Sequence, residues 1–131
     1  MVERIPIAGY LKLGEQDHLE GQRCDACGAV FLDRRVACGR CGKTEFTAAR
    51  LGDTGTLRSF TIVHRGARGV PVPFVSAVVD LDGGGVVRAN LVEVAPDPAA
   101  ITPGMAVQMR TYVVDTDDDG NEAVAFGYAP V

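Results

Sequence analysis

The feature that most constrains this chain is a pair of CxxC motifs, CDAC and CGRC, separated by ten residues. The chain has four cysteines, and all four belong to these motifs: Cys24, Cys27, Cys38 and Cys41. Each CxxC turn directs two sulfurs at one point, and the adjacent glycines tolerate the positive φ angles of such turns. Four thiolates complete a tetrahedral zinc shell and leave no position for water. The spacing therefore predicts a structural Zn²⁺ site and not a catalytic one.

Two disulfides or free thiols are the alternatives to zinc, and the expected compartment argues against disulfides. The N-terminus carries Glu3, Arg4 and Pro6 and lacks the continuous apolar stretch of a secretory signal. No apolar run approaches the roughly 18 residues that span a bilayer. We therefore expect a soluble cytoplasmic protein with no membrane association, in which thiols stay reduced.

Hydrophobic patterning predicts a mostly β fold. Short strands are expected around the cysteines at 19–23, 30–34 and 45–50, and longer ones at 57–64, 74–81, 86–94, 105–114 and 123–128. The last five, with a brief helical break between the third and fourth, are typical of an OB-type barrel. In the first of them, strict alternation places Leu57, Ser59, Thr61 and Val63 on one face. Residues 5–13 are expected to form a short helix or an arm.

The predicted architecture is a rubredoxin-like zinc ribbon followed by a five-stranded OB-fold barrel. The expected domains are an N-terminal arm at 1–18, the ribbon at 19–50 and the barrel at 51–131. A ribbon of this size cannot hold a core of its own, so metal binding should supply much of its folding free energy.

Charge is distributed unevenly along the chain, whose net charge is −4. The first 60 residues carry nine basic and eight acidic side chains, and the other 71 carry four basic and nine acidic ones. An acidic barrel half without tryptophan argues against a nucleic-acid-binding OB module, which needs a basic groove lined with aromatic residues.

Basic residues cluster in the predicted ribbon, and two interpretations stay open. Four thiolates around one Zn²⁺ leave a charge of −2, which nearby cations could offset. Alternatively, Arg34, Arg35, Arg40 and Lys43 belong to a phosphate-binding patch.

A second candidate contact region is the connection RGARGVPVPF, residues 65–74, which is long for a simple hairpin. It could dock on a partner through Arg65, Arg68, Val70, Val72 and Phe74. The other interpretation is that Val72 and Phe74 cover the end of the barrel itself. An apolar loop left free in solution usually marks an interface.

No catalytic residue is predicted. Acyl transfer needs a nucleophile with a base beside it, whereas the cysteines are assigned to metal and Ser59 and Ser76 lie inside predicted strands.

A family resemblance rests on the ordered motifs LEGQRC, TGTLRSFTIVH, PFVSAVVDLDGGGVVRANLV, a PGM turn and AFGYAP. With the double CxxC ribbon, these motifs make the chain from Tyr10 to Pro130 similar to the bacterial and archaeal zinc-ribbon OB-fold proteins, a family long labelled as of unknown function.

The resemblance implies a small non-catalytic partner of a thiolase-like enzyme, and sometimes of a hydratase. Such a subunit would help its partner fold, assemble or hold acyl-CoA. The basic residues expected to contact the phosphates of coenzyme A are then Arg34, Arg35, Arg40 and Lys43. The partners implied include thiolases and retro-aldolases that shorten steroid or fatty acyl side chains. A stand-alone acyl-CoA-binding protein is the alternative. The four cysteines match the zinc ligands of the family.

Overall fold

The computed structural model describes residues 3–131 and is built almost entirely of strands. The first five strands contain the arm and the cysteine-rich region: β1 (Arg4–Pro6), β2 (Leu11–Lys12), β3 (His18–Cys24), β4 (Val30–Phe31) and β5 (Phe46–Arg50). The second half contains β6 (Thr54–Val63), β7 (Phe74–Leu81), β8 (Val86–Leu91), a 3₁₀ turn (Pro98–Ala100), β9 (Ala106–Thr116) and β10 (Glu122–Pro130). In residues 3–131 no helix has the length and apolar character needed to cross a membrane.

Strands β6 to β10 form the predicted closed five-stranded barrel. The order runs β10, β8, β7, β6 and β9, and pairing of β9 with β10 closes the ring. Strand β10 is buried on both faces, because Val124, Phe126 and Tyr128 point into the core while Tyr112 covers Gly127 from the other side. A Cβ atom at Gly127 would lie 2.7 Å from the Asn90 carbonyl oxygen, so glycine is required where β10 meets β8.

The N-terminal segment is an extended arm, and its helical alternative is wrong. Strand β1 pairs in parallel with the first half of β10, with Ile5 opposite Ala123. Strand β2 pairs with β3, with Leu11 opposite Leu19. Pro6 and Gly9 interrupt the segment, and both residue types disfavour a helix interior.

The strict alternation predicted for the first barrel strand fails at one point. A β-bulge between Leu57 and Ser59 shifts the register of β6 against β7. Beyond the bulge the inward face changes, so Phe60 and Ile62 pack on the core instead of Ser59 and Thr61. Bulges of this kind are common where barrel strands bend.

One hydrophobic core joins the cysteine-rich region to the barrel. Leu11 and Leu19 are each 1% exposed and belong to the same cluster as Leu57, Val107 and Tyr128 of the barrel. The Leu51 amide also donates to the Leu19 carbonyl at 2.9 Å. The ribbon is therefore packed on the barrel and not held by a free linker.

Asp17 fastens the arm to the barrel. Its carboxylate accepts hydrogen bonds from the Thr111 hydroxyl at 2.7 Å, from the Arg4 guanidinium at 3.1 Å and from the Gly14 amide at 3.2 Å. Desolvation acts to raise the pKa of Asp17, but these hydrogen bonds outweigh it and lower the pKa below its ordinary value. The carboxylate is therefore stabilised in the folded protein.

We expect Asp17→Asn to reduce the free energy of unfolding at pH 7 by about 1 to 3 kcal/mol, the range for hydrogen bonds to a charged group. Because the pKa of Asp17 is lower in the folded protein than in the unfolded chain, the ionised carboxylate stabilises the fold at pH values above its unfolded pKa. This stabilisation is lost as the pH falls through the folded pKa. The difference between the two proteins should therefore shrink below about pH 4. Urea titrations from pH 7 to pH 3 measure this, with exposed Asp118→Asn as the acidic control. A difference independent of pH would contradict the prediction.

Candidate functional site

The four cysteines lie on two similar turns. Cys24 ends β3, and its carbonyl accepts a hydrogen bond from the Gly28 amide at 2.9 Å. In the second turn the Cys38 carbonyl accepts from the Gly42 amide at 2.8 Å. Gly28 and Gly42 adopt φ angles of 79° and 80°, which glycine reaches without steric cost. The sequence thus forms two equivalent knuckles, each closing after its second cysteine.

The knuckles bring all four sulfurs together. The four Sγ atoms lie within 4.8 Å of one another, with 3.6 Å between Cys24 and Cys41 and 3.6 Å between Cys27 and Cys38. Four sulfurs bound at about 2.3 Å around a tetrahedral ion would be about 3.8 Å apart. All four cysteines are free thiols, and the pairs are far longer than a disulfide bond of about 2.05 Å. The cluster therefore fits a metal ion with four sulfur ligands.

The electrostatics of the cluster also favour a bound cation. Desolvation acts to raise the pKa of Cys38, but backbone amides of Cys41 and Arg40 and the neighbouring thiols lower it to about 6. The Lys43 amide acts to lower the pKa of Cys41, but desolvation and the three other sulfurs raise it to about 11. One thiolate thus forms readily while a neighbouring thiol resists ionisation, and a bound cation would favour the ionisation of all four.

The basic residues predicted to contact CoA phosphates divide into two places. Arg34 and Arg35 border a common surface cavity of about 410 Å³ beside Phe46. Arg40 and Lys43 belong to the second knuckle, where the Arg40 amide donates to Cys38 Sγ at 3.4 Å and the Cys38 amide donates to the Lys43 carbonyl at 2.7 Å. All four side chains belong to exposed residues.

The predicted docking connection is an exposed loop with a defined shape. Residues 65–73 are all exposed, and Val70 and Val72 each retain 44% of their accessible surface. A Cβ atom at Gly66 would lie 3.2 to 3.3 Å from the Val70 and Val72 side chains, so the loop packs on itself. Phe74 is partly buried and begins β7. Val72 is thus available for contact, whereas Phe74 belongs to the barrel.

The two candidate contact regions lie at opposite ends of the barrel. Val30 of the ribbon lies beside Gly84 in the β7–β8 turn, at the end of the barrel where β6 begins. The loop at 65–73 follows the other end of β6, ten residues away. The full length of β6, at about 3.3 Å per residue, lies between the two regions. They therefore do not form one site.

A third feature was not predicted from the sequence. A groove of about 480 Å³ opens where ribbon and barrel meet, and we call it the seam groove. Its rim carries Arg35, Arg88 and Asp33, and its floor is apolar, formed by Tyr10, Val30, Phe31, Leu32 and Val86. Arg88 and Arg35 are 53 positions apart in sequence, so no local motif could have revealed their proximity.

Two family models match consecutive parts of the chain. The ChsH2 rubredoxin-like zinc ribbon domain matches residues 12–47, and the ChsH2 C-terminal OB-fold domain matches residues 48–112. A DUF35 domain-containing scaffold protein of Methanocaldococcus jannaschii is 28% identical over 130 residues, which cover 96% of this chain and 89% of that protein.

One further relative is named as an enzyme subunit, and one similar solved structure is named as an enzyme complex. The benzoylsuccinyl-CoA thiolase subunit BbsA of Geobacter metallireducens is 33% identical over 70 residues, 53% of this chain and 47% of that protein. A chain of the solved Ltp2-ChsH2(DUF35) aldolase superposes with a TM-score of 0.67 at 26% identity, covering 86% of this chain and 84% of that one.

The order of ribbon and barrel, the clustered cysteines and both matched domains agree, and the predicted family resemblance is confirmed. The chain belongs to the ChsH2 zinc-ribbon OB-fold family, whose relatives include DUF35 scaffold proteins.

Proposed function

We propose that this protein is a non-catalytic accessory subunit of a thiolase-like acyl-CoA enzyme, either a thiolase or a retro-aldolase. The observation that carries the proposal is the superposition on a chain of the Ltp2-ChsH2(DUF35) aldolase, which extends over both ribbon and barrel. The likeness to a thiolase subunit supports the same class of partner. Acyl-CoA compounds with steroid or fatty side chains are the proposed substrates of the complex.

In this proposal the metal is a structural Zn²⁺ ion held by Cys24, Cys27, Cys38 and Cys41. A four-sulfur shell has no open position, so the ion would fix the knuckles and take no part in chemistry. The hydrophobic core that the ribbon shares with the barrel then holds the two in a fixed relative position.

We propose the loop at 65–73 as one partner contact. It presents two arginines and two exposed valines, and it carries no carboxylate. Such a surface suits an apolar recess with an acidic rim on the partner.

A tagged copy of the chain should recover a thiolase-like or aldolase-like protein from its native host in near-equal amount. The double variant Val70→Asp and Val72→Asp should lose most of that protein, because two buried charges would be placed at the interface. Val114→Asp, an exposed valine on β9 remote from the loop, is the matched control. Recovery of the chain alone would contradict the accessory-subunit proposal. Full recovery by the loop variant would reject only the loop as the contact.

We further propose that Arg34 and Arg35, with Arg40 and Lys43, attract the phosphates of acyl-CoA bound to the complex. The proposal is supported by the cavity beside Phe46 that Arg34 and Arg35 share and by the exposure of all four residues.

Charge reversal at Arg34 and Arg35 to glutamate should raise the Michaelis constant of the complex for acyl-CoA about tenfold or more while leaving its turnover number unchanged. Removing binding that is equal in ground and transition states has this effect. Steady-state kinetics of the purified complex measure it, with Arg110→Glu on barrel strand β9, outside both the ribbon and the loop, as a charge-reversal control. An unchanged Michaelis constant would reject the phosphate contacts.

A further inference from the structure

The seam groove combines an apolar floor with two cationic side chains. Val86 lies on its floor and remains 46% exposed, although it is a β-branched apolar residue and begins barrel strand β8. Tyr10 is held in place by Phe126, with the two ring centroids 6.0 Å apart and the planes at 82°. A volume of about 480 Å³ lies within the range of small-molecule sites.

Arg35 is positioned at the rim by a stack of aromatic contacts. Its guanidinium carbon lies 4.7 Å from the centre of the Phe31 ring. Phe31 in turn contacts Phe46 edge to face, at a centroid distance of 6.4 Å. Stacking on an aromatic face leaves the edge N–H groups of a guanidinium available for an anion.

Arg88 reaches the same groove from the barrel. It lies on β8 opposite Val78 and is exposed. Across residues 3–131, neither Arg35 nor Arg88 forms an ion pair with a carboxylate. By contrast, Arg58 on β6 is paired with Asp80 on β7.

Asp33 limits the charge that the groove would accept. It lies on the rim with the two arginines, so the three side chains together carry a charge of +1. One carboxylate group of a ligand would neutralise this charge, whereas several phosphates would leave uncompensated negative charge in the groove.

We propose that the seam groove binds an amphipathic organic monoanion, in which a carboxylate contacts Arg35 and Arg88 and an aliphatic or aromatic body lies on the apolar floor. A guanidinium pair is suited to a carboxylate because its N–H groups match the two oxygens. Such a ligand would contact ribbon and barrel at once and stabilise their packing. The inference does not depend on the proposed function, because it concerns the chain without a partner.

The test uses octanoate as the probe with the zinc-loaded full chain, followed by ¹H–¹⁵N nuclear magnetic resonance. We expect saturable shifts at the groove residues, weaker binding of the neutral analogue octanamide, and affinity for octanoate reduced about tenfold by Arg88→Ala. Arg68→Ala, in the exposed loop, should bind as the unmodified chain does.

Three results would overturn the inference: no saturable binding of octanoate, equal affinity in Arg88→Ala, or equal affinity for octanamide. Adenosine 3′,5′-bisphosphate provides a further comparison. If it binds the same residues more tightly than octanoate, the groove is a phosphate site and the monoanion assignment is wrong. None of these results bears on recovery of a thiolase-like partner, so the two proposals fail separately.

Discussion

Cys38→Ser is expected to abolish stoichiometric zinc binding and to unfold the ribbon. Cys38 is only 4% exposed, and its sulfur lies 3.6 Å from that of Cys27, so serine would leave one corner of the tetrahedron without a thiolate. Structural zinc contributes about 10 kcal/mol or more of apparent binding free energy in small zinc domains. The zinc content of the purified protein should fall from one ion per chain to near zero, measured by plasma mass spectrometry, with a large loss of soluble yield.

Cys41→His provides the matched control. Cys41 is exposed, so a larger ligand can be accommodated, and three cysteines with one histidine form a common structural zinc site. This variant should retain about one zinc ion per chain. If Cys38→Ser kept one zinc ion and unchanged thermal stability, the metal would not be held by this cluster.

Leu19→Ala should destabilise the whole molecule by about 2 to 5 kcal/mol, the range for truncating a buried leucine. Leu19 is a ribbon residue by sequence, yet it is 1% exposed and packs in the same cluster as Leu57 and Val107 of the barrel. Because the core is shared, we expect one cooperative unfolding transition at a lower temperature. Differential scanning calorimetry distinguishes this from selective melting of the ribbon.

Lys12→Ala is the control for this change, since Lys12 is exposed and pairs with the same strand. It should alter stability by less than about 0.5 kcal/mol. Two transitions in Leu19→Ala, with the later one at its original temperature, would show that the ribbon and barrel fold independently.

The cluster of four cysteines was predictable because its geometry is local. Each knuckle needs only two cysteines with two residues between them and a glycine that follows. A short stretch of sequence is therefore enough to place two sulfurs on one turn. The barrel strands were predictable for a similar reason. Residues 74–81 are mostly apolar and rich in valine, which favours a strand, and the structure has β7 with the same bounds. The resemblance to a known family followed from the order of these local signals.

Contacts between distant segments were not predictable in the same way. The bulge after Leu57 reverses which side chains face inward, because strict alternation holds only while the two strands keep their register. The arm became a strand because β10 offered it a parallel edge, a partner more than 110 residues away. Neither effect has a signature in a short window of sequence.

The sequence by itself determined the cluster of four cysteines, the mostly β class and the family, since these depend on residue types at short spacing. Only the tertiary structure placed Leu19 in the barrel core, separated the basic ribbon from the exposed loop by the length of β6, and brought Arg88 beside Arg35. The physical reason is that burial and proximity across a barrel depend on strand order and register, which arise from the packing of all strands together.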